Sequence, residues 1–337
     1  MDENIKKPKK QICAIVSILA AIAFTVYIAL DTFVISYAYT PVSTTSSSYS
    51  SSSGSSSGSS SSNSSSSSGS NSSGSNSSSS SSGKSSSSSS STGEVISTDT
   101  TYEDDNIKIT VTTYRENDTN IYVADVQVSS AEYLQTALAQ ATYGKNITDT
   151  TSNMAEEVNA ILAINGDYYG TQETGYVIRN GVLYRDTADS DQEDLVIYED
   201  GSFEIINEDD VSAETLMENG AYNVLSFGPA LIVDGEISVT ENDEVAKAMA
   251  SNPRTAIGII DDLHYVFVVA DGRTDESEGL SLYQLAQFLE TLDVTCAYNL
   301  DGGGSSTMVF NGEVVNTPTS TRSGSERKVS DIVYIGY

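Results

Sequence analysis

The chain has 337 residues and a formal net charge of −31, from 47 Asp and Glu against 16 Lys and Arg. A surface this acidic repels nucleic acid, so neither DNA nor RNA is an expected partner. With one histidine, His264, and two cysteines, Cys13 and Cys296, the sequence lacks the residues for Ser-His-Asp or Cys-His catalysis and for a cysteine-built zinc site.

Residues 1–11 form a basic tail containing "KKPKK", and residues 12–30 ("ICAIVSILAAIAFTVYIAL") are apolar without a charge. About 20 such residues span a bilayer, and a lysine cluster before them stays in the cytoplasm. The expectation is a single-pass transmembrane anchor over 12–37, uncleaved, with everything after it extracellular. Residues 38–94 are dominated by serine with scattered glycine and asparagine. Such a composition does not offset the entropy of ordering, so a disordered stalk is expected, perched between anchor and domain.

From 95 to 337 the pattern is that of a folded domain. Apolar side chains alternate with polar ones over 107–114 and 121–128, which predicts half-buried strands. Further strands are predicted at 160–164, across the "RNG" turn of 176–184, and at 194–199, 203–206, 230–233, 255–260, 264–270, 294–300, 306–310 and 313–315. Helices are predicted at 131–141, at 152–159 and at 281–292, the last with Ser281 as its cap and Leu282, Leu285, Ala286, Leu289 and Leu292 on one face. The fold class is therefore α+β, a mixed β-sheet domain with a few helices. His264 opens an apolar run and reads as a packed residue at a strand end.

Four stretches place polar residues at the ends of apolar strands: "AINGDYYG" (163–170), "NPRTAIGI" (252–259), "VVADGRTDESEGLSL" (268–282) and "NLDGGGSST" (299–307). Strand ends gathered at one edge of a sheet are where sites are built. Three consecutive glycines each cost about 0.5–1 kcal/mol of backbone entropy relative to alanine, which a close approach to a ligand would justify. A loop with its N–H groups turned outward is one way to hold an anion. The carboxylates open to a catalytic role are Asp167, Asp271 and Asp301. Asn165, Gly166, Arg254, Arg273, Gly302, Gly303, Gly304, Ser305 and Arg327 are the candidate substrate-binding residues. No metal and no cofactor are expected, because the acidic loop "DGRTDESE" lacks the regular spacing of an EF-hand.

In order along the chain, "INGDYY", "FGPALIVDGE", "RTAIG", "VVADGR", "NLDGGGSSTM" and "ERKVSDIVYI" resemble the motif series of the phosphodiester glycosidase family, over about residues 105–337. The sequence departs from it at Asp167 and the tyrosines after it, where many relatives have "NGGFF". The resemblance implies hydrolysis of a sugar 1-phosphodiester of the N-acetylglucosamine type on cell-surface or exopolysaccharide glycans. Cleavage of such a bond makes the sugar cationic while phosphate gathers negative charge, so a carboxylate and an anion cradle are needed side by side. The alternative is a stalked carbohydrate-binding or adhesion module without turnover.

Overall fold

The computed structural model describes residues 6–42, 95–242, 251–320 and 324–337. Of the disordered stalk expected over 38–94, residues 43–94 lie outside them, whereas 38–42 are described and Ala38, Tyr39 and Val42 bond to the domain backbone. The described residues belong to one compact unit.

Among the described residues there are three large sheets and a fourth of two short strands, 37–38 with 144–145. The largest has nine strands, with 296–300 beside 254–261, then 264–270, 119–128 and 107–116. Two five-stranded sheets follow. One runs 182–185, 177–179, 221–225, 193–198, 203–207, and the other 313–314, 308–310, 162–165, 331–335, 134–138. Every pairing among the described residues is antiparallel, so the sheets are not mixed. Where strands adjacent in sequence pair, tight hairpins join them, as at Asn117-Asp118, where both residues take positive φ of 47° and 51°.

The pleat sorts the side chains. Along 254–261 and 264–270, Ile257, Ile259, Phe267 and Val269 point into a core shared with Leu195 and Leu225 of the second sheet and Leu162, Ile164 and Val333 of the third. Ala256, Val266, Val268 and Ala270 point to the opposite face, where the helix Leu282–Glu290 lays down Leu282, Leu285, Ala286, Phe288 and Leu289. Because both faces are covered, these strands read as unbroken apolar runs. The helix begins as its sequence implies: Ser281 Oγ accepts from the Gln284 N–H at 3.1 Å, and Gln284 Oε1 accepts from the Ser281 N–H at 2.9 Å. His264 stands at a strand start with Nε2 3.1 Å from Asp125 Oδ2.

The expected helix over 131–141 does not form. Ala131–Tyr133 and Ala139–Ala141 are single 3₁₀ turns, and Leu134–Leu138 is a strand paired with Asp331–Ile335. Leu134 and Thr136 alternate inward while the residues between them stay partly exposed, a period of two that long-range pairing selects over the helical one. The N-terminal segment is helical over Lys6–Phe33. Among the described residues, no helix is long and apolar enough to cross a membrane.

Strand Glu193–Tyr198 carries Asp194 fully buried, with neither carboxylate oxygen hydrogen-bonded among the described residues. Burial, reinforced by the Glu208 carboxyl beside it, pushes the Asp194 group well above the usual carboxylate range. A carboxyl raised by folding stabilises below its unfolded value and loses that contribution as pH rises through its folded value. Asp194→Asn, which fixes the neutral form, is therefore expected to raise Tm at pH 8 and leave it nearly unchanged at pH 4, and thermal melts at the two pH values check this.

Candidate active site

The antiparallel register gathers the candidate residues at one edge of the nine-stranded sheet. Leu300 pairs with Thr255 and Arg254 with Ala270, so Asp301, Arg254 and Asp271 leave three adjacent strands together. Asn165, fully buried at the end of strand Leu162–Asn165, stitches the third sheet to this edge. Its Nδ2 donates to the Asp301 carbonyl at 2.6 Å, while its Oδ1 accepts from Thr255 Oγ1 at 2.8 Å and from the Thr307 N–H at 3.2 Å. Asn165 thus fixes the backbone on which Asp301 stands.

The three carboxylates divide by environment. Asp167 is fully buried: its Oδ1 accepts from the Tyr169 N–H at 2.9 Å, and its Oδ2 from Arg179 Nη2 at 2.7 Å and the Ser226 N–H at 3.0 Å. Both oxygens are engaged and none of its surface is exposed, so in this arrangement Asp167 serves Arg179 and the backbone of Tyr169 and Ser226. Asp271 is 3% exposed. It accepts from Asn316 Nδ2 at 3.2 Å, the Thr317 N–H at 2.8 Å and the Tyr122 hydroxyl at 3.2 Å, which makes it a brace for the 316–317 segment. Asp301 alone reaches solvent, with 18% of its side chain exposed. Its Oδ2 accepts from Ser305 Oγ at 2.6 Å and lies 4.0 Å from Arg327 Nη1. Burial pushes the Asp301 carboxyl up, and the Ser305 hydroxyl and the Arg327 charge pull it back.

The glycine loop takes a different form from an outward cradle of N–H groups. The Gly303 N–H donates to the Pro253 carbonyl at 2.8 Å and the Ser305 N–H to the Gly302 carbonyl at 3.2 Å, so these two are spent inside the loop. The absent side chains have another purpose. A Cβ on Gly302 would lie 2.9 Å from the Pro253 carbonyl oxygen. One on Gly303, whose φ is 63°, would lie 3.1 Å from Arg273 Nη2, and one on Gly304 would lie 3.0 Å from Arg327 Nη2. The loop is a bare floor on which two guanidinium groups lie, one over each glycine. Arg273 is held there by Asn252 Oδ1, which accepts from its Nε at 3.1 Å and its Nη2 at 2.7 Å. Arg327 donates from Nη1 to Ser305 Oγ at 3.3 Å, and its backbone N–H to the Gly304 carbonyl at 3.2 Å.

Arg254, expected to face the anion, is 4% exposed and donates from Nε to the Leu280 carbonyl at 2.9 Å. The positive charge on the open side of the loop comes instead from Arg273, which is exposed, and Arg327, with 48% of its side chain exposed. Gly166 is required for packing: a Cβ there would meet Asp331 Oδ1 at 2.4 Å.

Two residues that sequence reasoning passed over organise the layer beneath. Arg179 Nε donates to Asp331 Oδ2 at 2.8 Å, and its Nη2 sits 2.7 Å from both Asp167 Oδ2 and Asp331 Oδ2. All three are buried, and Arg179 also donates to the Ile178 carbonyl at 3.0 Å and to the Val224 carbonyl. This cluster clamps the second sheet to the third. Tyr168 was also passed over. It is half-buried, and its ring meets Phe227 edge-on with centroids 4.8 Å apart. Burial raises its hydroxyl pKa, and the charges of Asp167 and Asp301 add to the rise.

Comparison with known proteins gives the family. The family model for phosphodiester glycosidases matches residues 158–336. The SPbeta prophage-derived protein YomE of Bacillus subtilis is 30% identical over 200 residues, 58% of this chain and 31% of that one. Human N-acetylglucosamine-1-phosphodiester alpha-N-acetylglucosaminidase is 38% identical over 114 residues, covering 30% of this chain and 22% of that protein. The chain thus spans less than a third of the length of these curated relatives. The zebrafish N-acetylglucosamine-1-phosphodiester alpha-N-acetylglucosaminidase catalytic domain, solved auto-inhibited by its pro-peptide, superposes with a TM-score of 0.56 at 22% identity over 68% of this chain and 83% of that one, which shows a shared fold. With the family model covering more than half its length, the chain belongs to the phosphodiester glycosidase family.

Proposed function

We propose that the chain hydrolyses a sugar 1-phosphodiester of the N-acetylglucosamine type. The observation that carries this reading is one solvent-reaching carboxylate, Asp301, standing beside a glycine floor that holds two exposed guanidiniums in an otherwise acidic protein. Arg273 and Arg327 take the phosphate, whose charge grows as the bond breaks. Asp301 faces the anomeric carbon as it becomes cationic, and Tyr168 with Phe227 offers an apolar wall for the sugar ring. A phosphate monoester departs without strong acid help, so the absence of histidine from the site is no obstacle.

The test is turnover of an aryl phosphodiester of α-N-acetylglucosamine beside the corresponding aryl glycoside without phosphate, with release of free sugar as the readout. Hydrolysis of the first and not the second supports the reading, and equal hydrolysis of both, or of neither, overturns it. Arg273→Ala should raise KM for the phosphodiester about tenfold, the worth of one charge-assisted contact of about 1.5 kcal/mol, with the melting temperature unchanged because the side chain is exposed.

The names of the relatives support a glycan substrate, and the lysines before the helix with the exposed Val16, Ile18, Leu19, Ile22 and Phe24 on it favour an anchor in the cell membrane, with the domain outside and acting on cell-surface or exopolysaccharide glycans. Resistance of the protein to alkaline carbonate extraction from membranes, and its accessibility to protease on intact cells, check this part.

A further inference from the structure

Residues 35–42, between the N-terminal helix and the serine-rich tract, are built into the domain. Tyr37 and Ala38 pair antiparallel with Lys145 and Gly144. The Tyr39 N–H donates to the Tyr143 carbonyl at 2.9 Å, and the Val42 N–H to the Leu183 carbonyl at 2.9 Å. Ser36 Oγ donates to the Asn146 carbonyl and Asn146 Nδ2 donates back to the Ile35 carbonyl, each at 2.9 Å. Gly144 is matched to this contact, because a Cβ there would lie 1.9 Å from the Tyr37 carbonyl oxygen. The Tyr39 ring packs against Tyr143 with centroids 6.0 Å apart, and Tyr143 in turn against Tyr169 at 5.2 Å and Tyr184 at 4.8 Å. On its other side the segment is tied to the helix end, where the Tyr37 hydroxyl donates to Asp31 Oδ1 at 2.6 Å.

We infer that residues 35–42 are a docking strand that holds the domain on the N-terminal helix without help from the serine-rich tract. Backbone pairing of an added strand gives affinity, and the glycine and tyrosines give it register. Among the described residues, the helix, this strand and the domain belong to one compact unit. Only residues 34–36 intervene between the helix and the paired strand, a reach of roughly 14 Å at full extension. A docked strand of this kind gives a domain that works at the end of the helix.

The experiment uses the detergent-solubilised full chain with an N-terminal affinity tag and a site-specific protease sequence inserted after Lys84. After complete cutting, the fragment ending at Lys84 is expected to retain the rest of the chain on the affinity matrix. Gly144→Val should release it, and so should Tyr39→Pro, which removes the N–H given to Tyr143 and lies in the tagged fragment, where it leaves the fold of the released part untouched. Release in the Tyr39→Pro chain is expected to be about tenfold faster, as for the loss of a backbone bond together with its strand geometry. Separation of the two fragments as soon as the unsubstituted chain is cut overturns the inference. So does retention at the same rate in the Tyr39→Pro chain, which would assign the hold to some other contact.

Discussion

Asp301→Asn is expected to lower kcat about a hundred- to ten-thousand-fold on a sugar phosphodiester, with KM nearly unchanged. The carboxylate is the one member of the site's three acids with a surface to offer, and it is held by Ser305 Oγ at 2.6 Å on one oxygen. Its charge matters chiefly as the sugar becomes cationic, so the loss falls on the chemical step and spares ground-state binding. Folding should survive, because the amide keeps the shape and removes a charge that burial already disfavours. The measurement is steady-state kinetics together with a thermal melt. Full activity of a well-folded Asp301→Asn enzyme would return the reactive role to Asp271, the next carboxylate along the same sheet edge. Asp271→Asn, by contrast, should weaken the 316–317 segment before it touches kcat, because its oxygens hold Asn316 and Thr317.

Much of this was legible in the sequence because local chemistry and tertiary context agree there. The helix Leu282–Glu290 has its capping box and its apolar stripe, and the hairpin strands have their alternation, so periodicity alone places them. The loop after Asp301 announced itself by three glycines, although what the glycines admit is a pair of guanidiniums, and no spacing rule tells which arginine will lie over which glycine. Residues 131–141 misled because Leu134 and Leu138 fit a helical face as well as an alternating one. The strand partner that decides between them lies almost 200 residues away at Asp331–Ile335. An arginine at the start of a buried strand gives no sign in the sequence of its local partner, and in the fold the Arg254 Nε donates to the Leu280 carbonyl. Arg179 and Asp331 gave almost no signal. Each is a lone charge beside an apolar run, and the pairing that explains them joins residues 152 positions apart.

Removing the cation from that pairing should be the most damaging single change to the fold. Arg179→Met would leave Asp167 and Asp331 buried without a counter-charge, and breaking a buried ion pair in this way costs about 3–5 kcal/mol. At about 2–4 °C per kcal/mol for a domain of this size, Tm should fall by about 6–20 °C. The loss should also depend on pH. Asp331 is pushed up to about 8 by its burial and by Asp167, with Arg179 pulling the other way. A carboxyl raised in the folded state contributes its stability below the unfolded value of about 4 and loses it as pH rises toward the folded one. Protonated at pH 5, Asp331 needs Arg179 less; ionised at pH 9, it needs it more. The difference in Tm between Arg179→Met and the unsubstituted protein should therefore be wider at pH 9 than at pH 5, and adding Asp331→Asn to the Met variant should narrow it at pH 9. An equal loss at both pH values would assign Arg179 to packing between the two sheets, with its charge contributing nothing to the clamp.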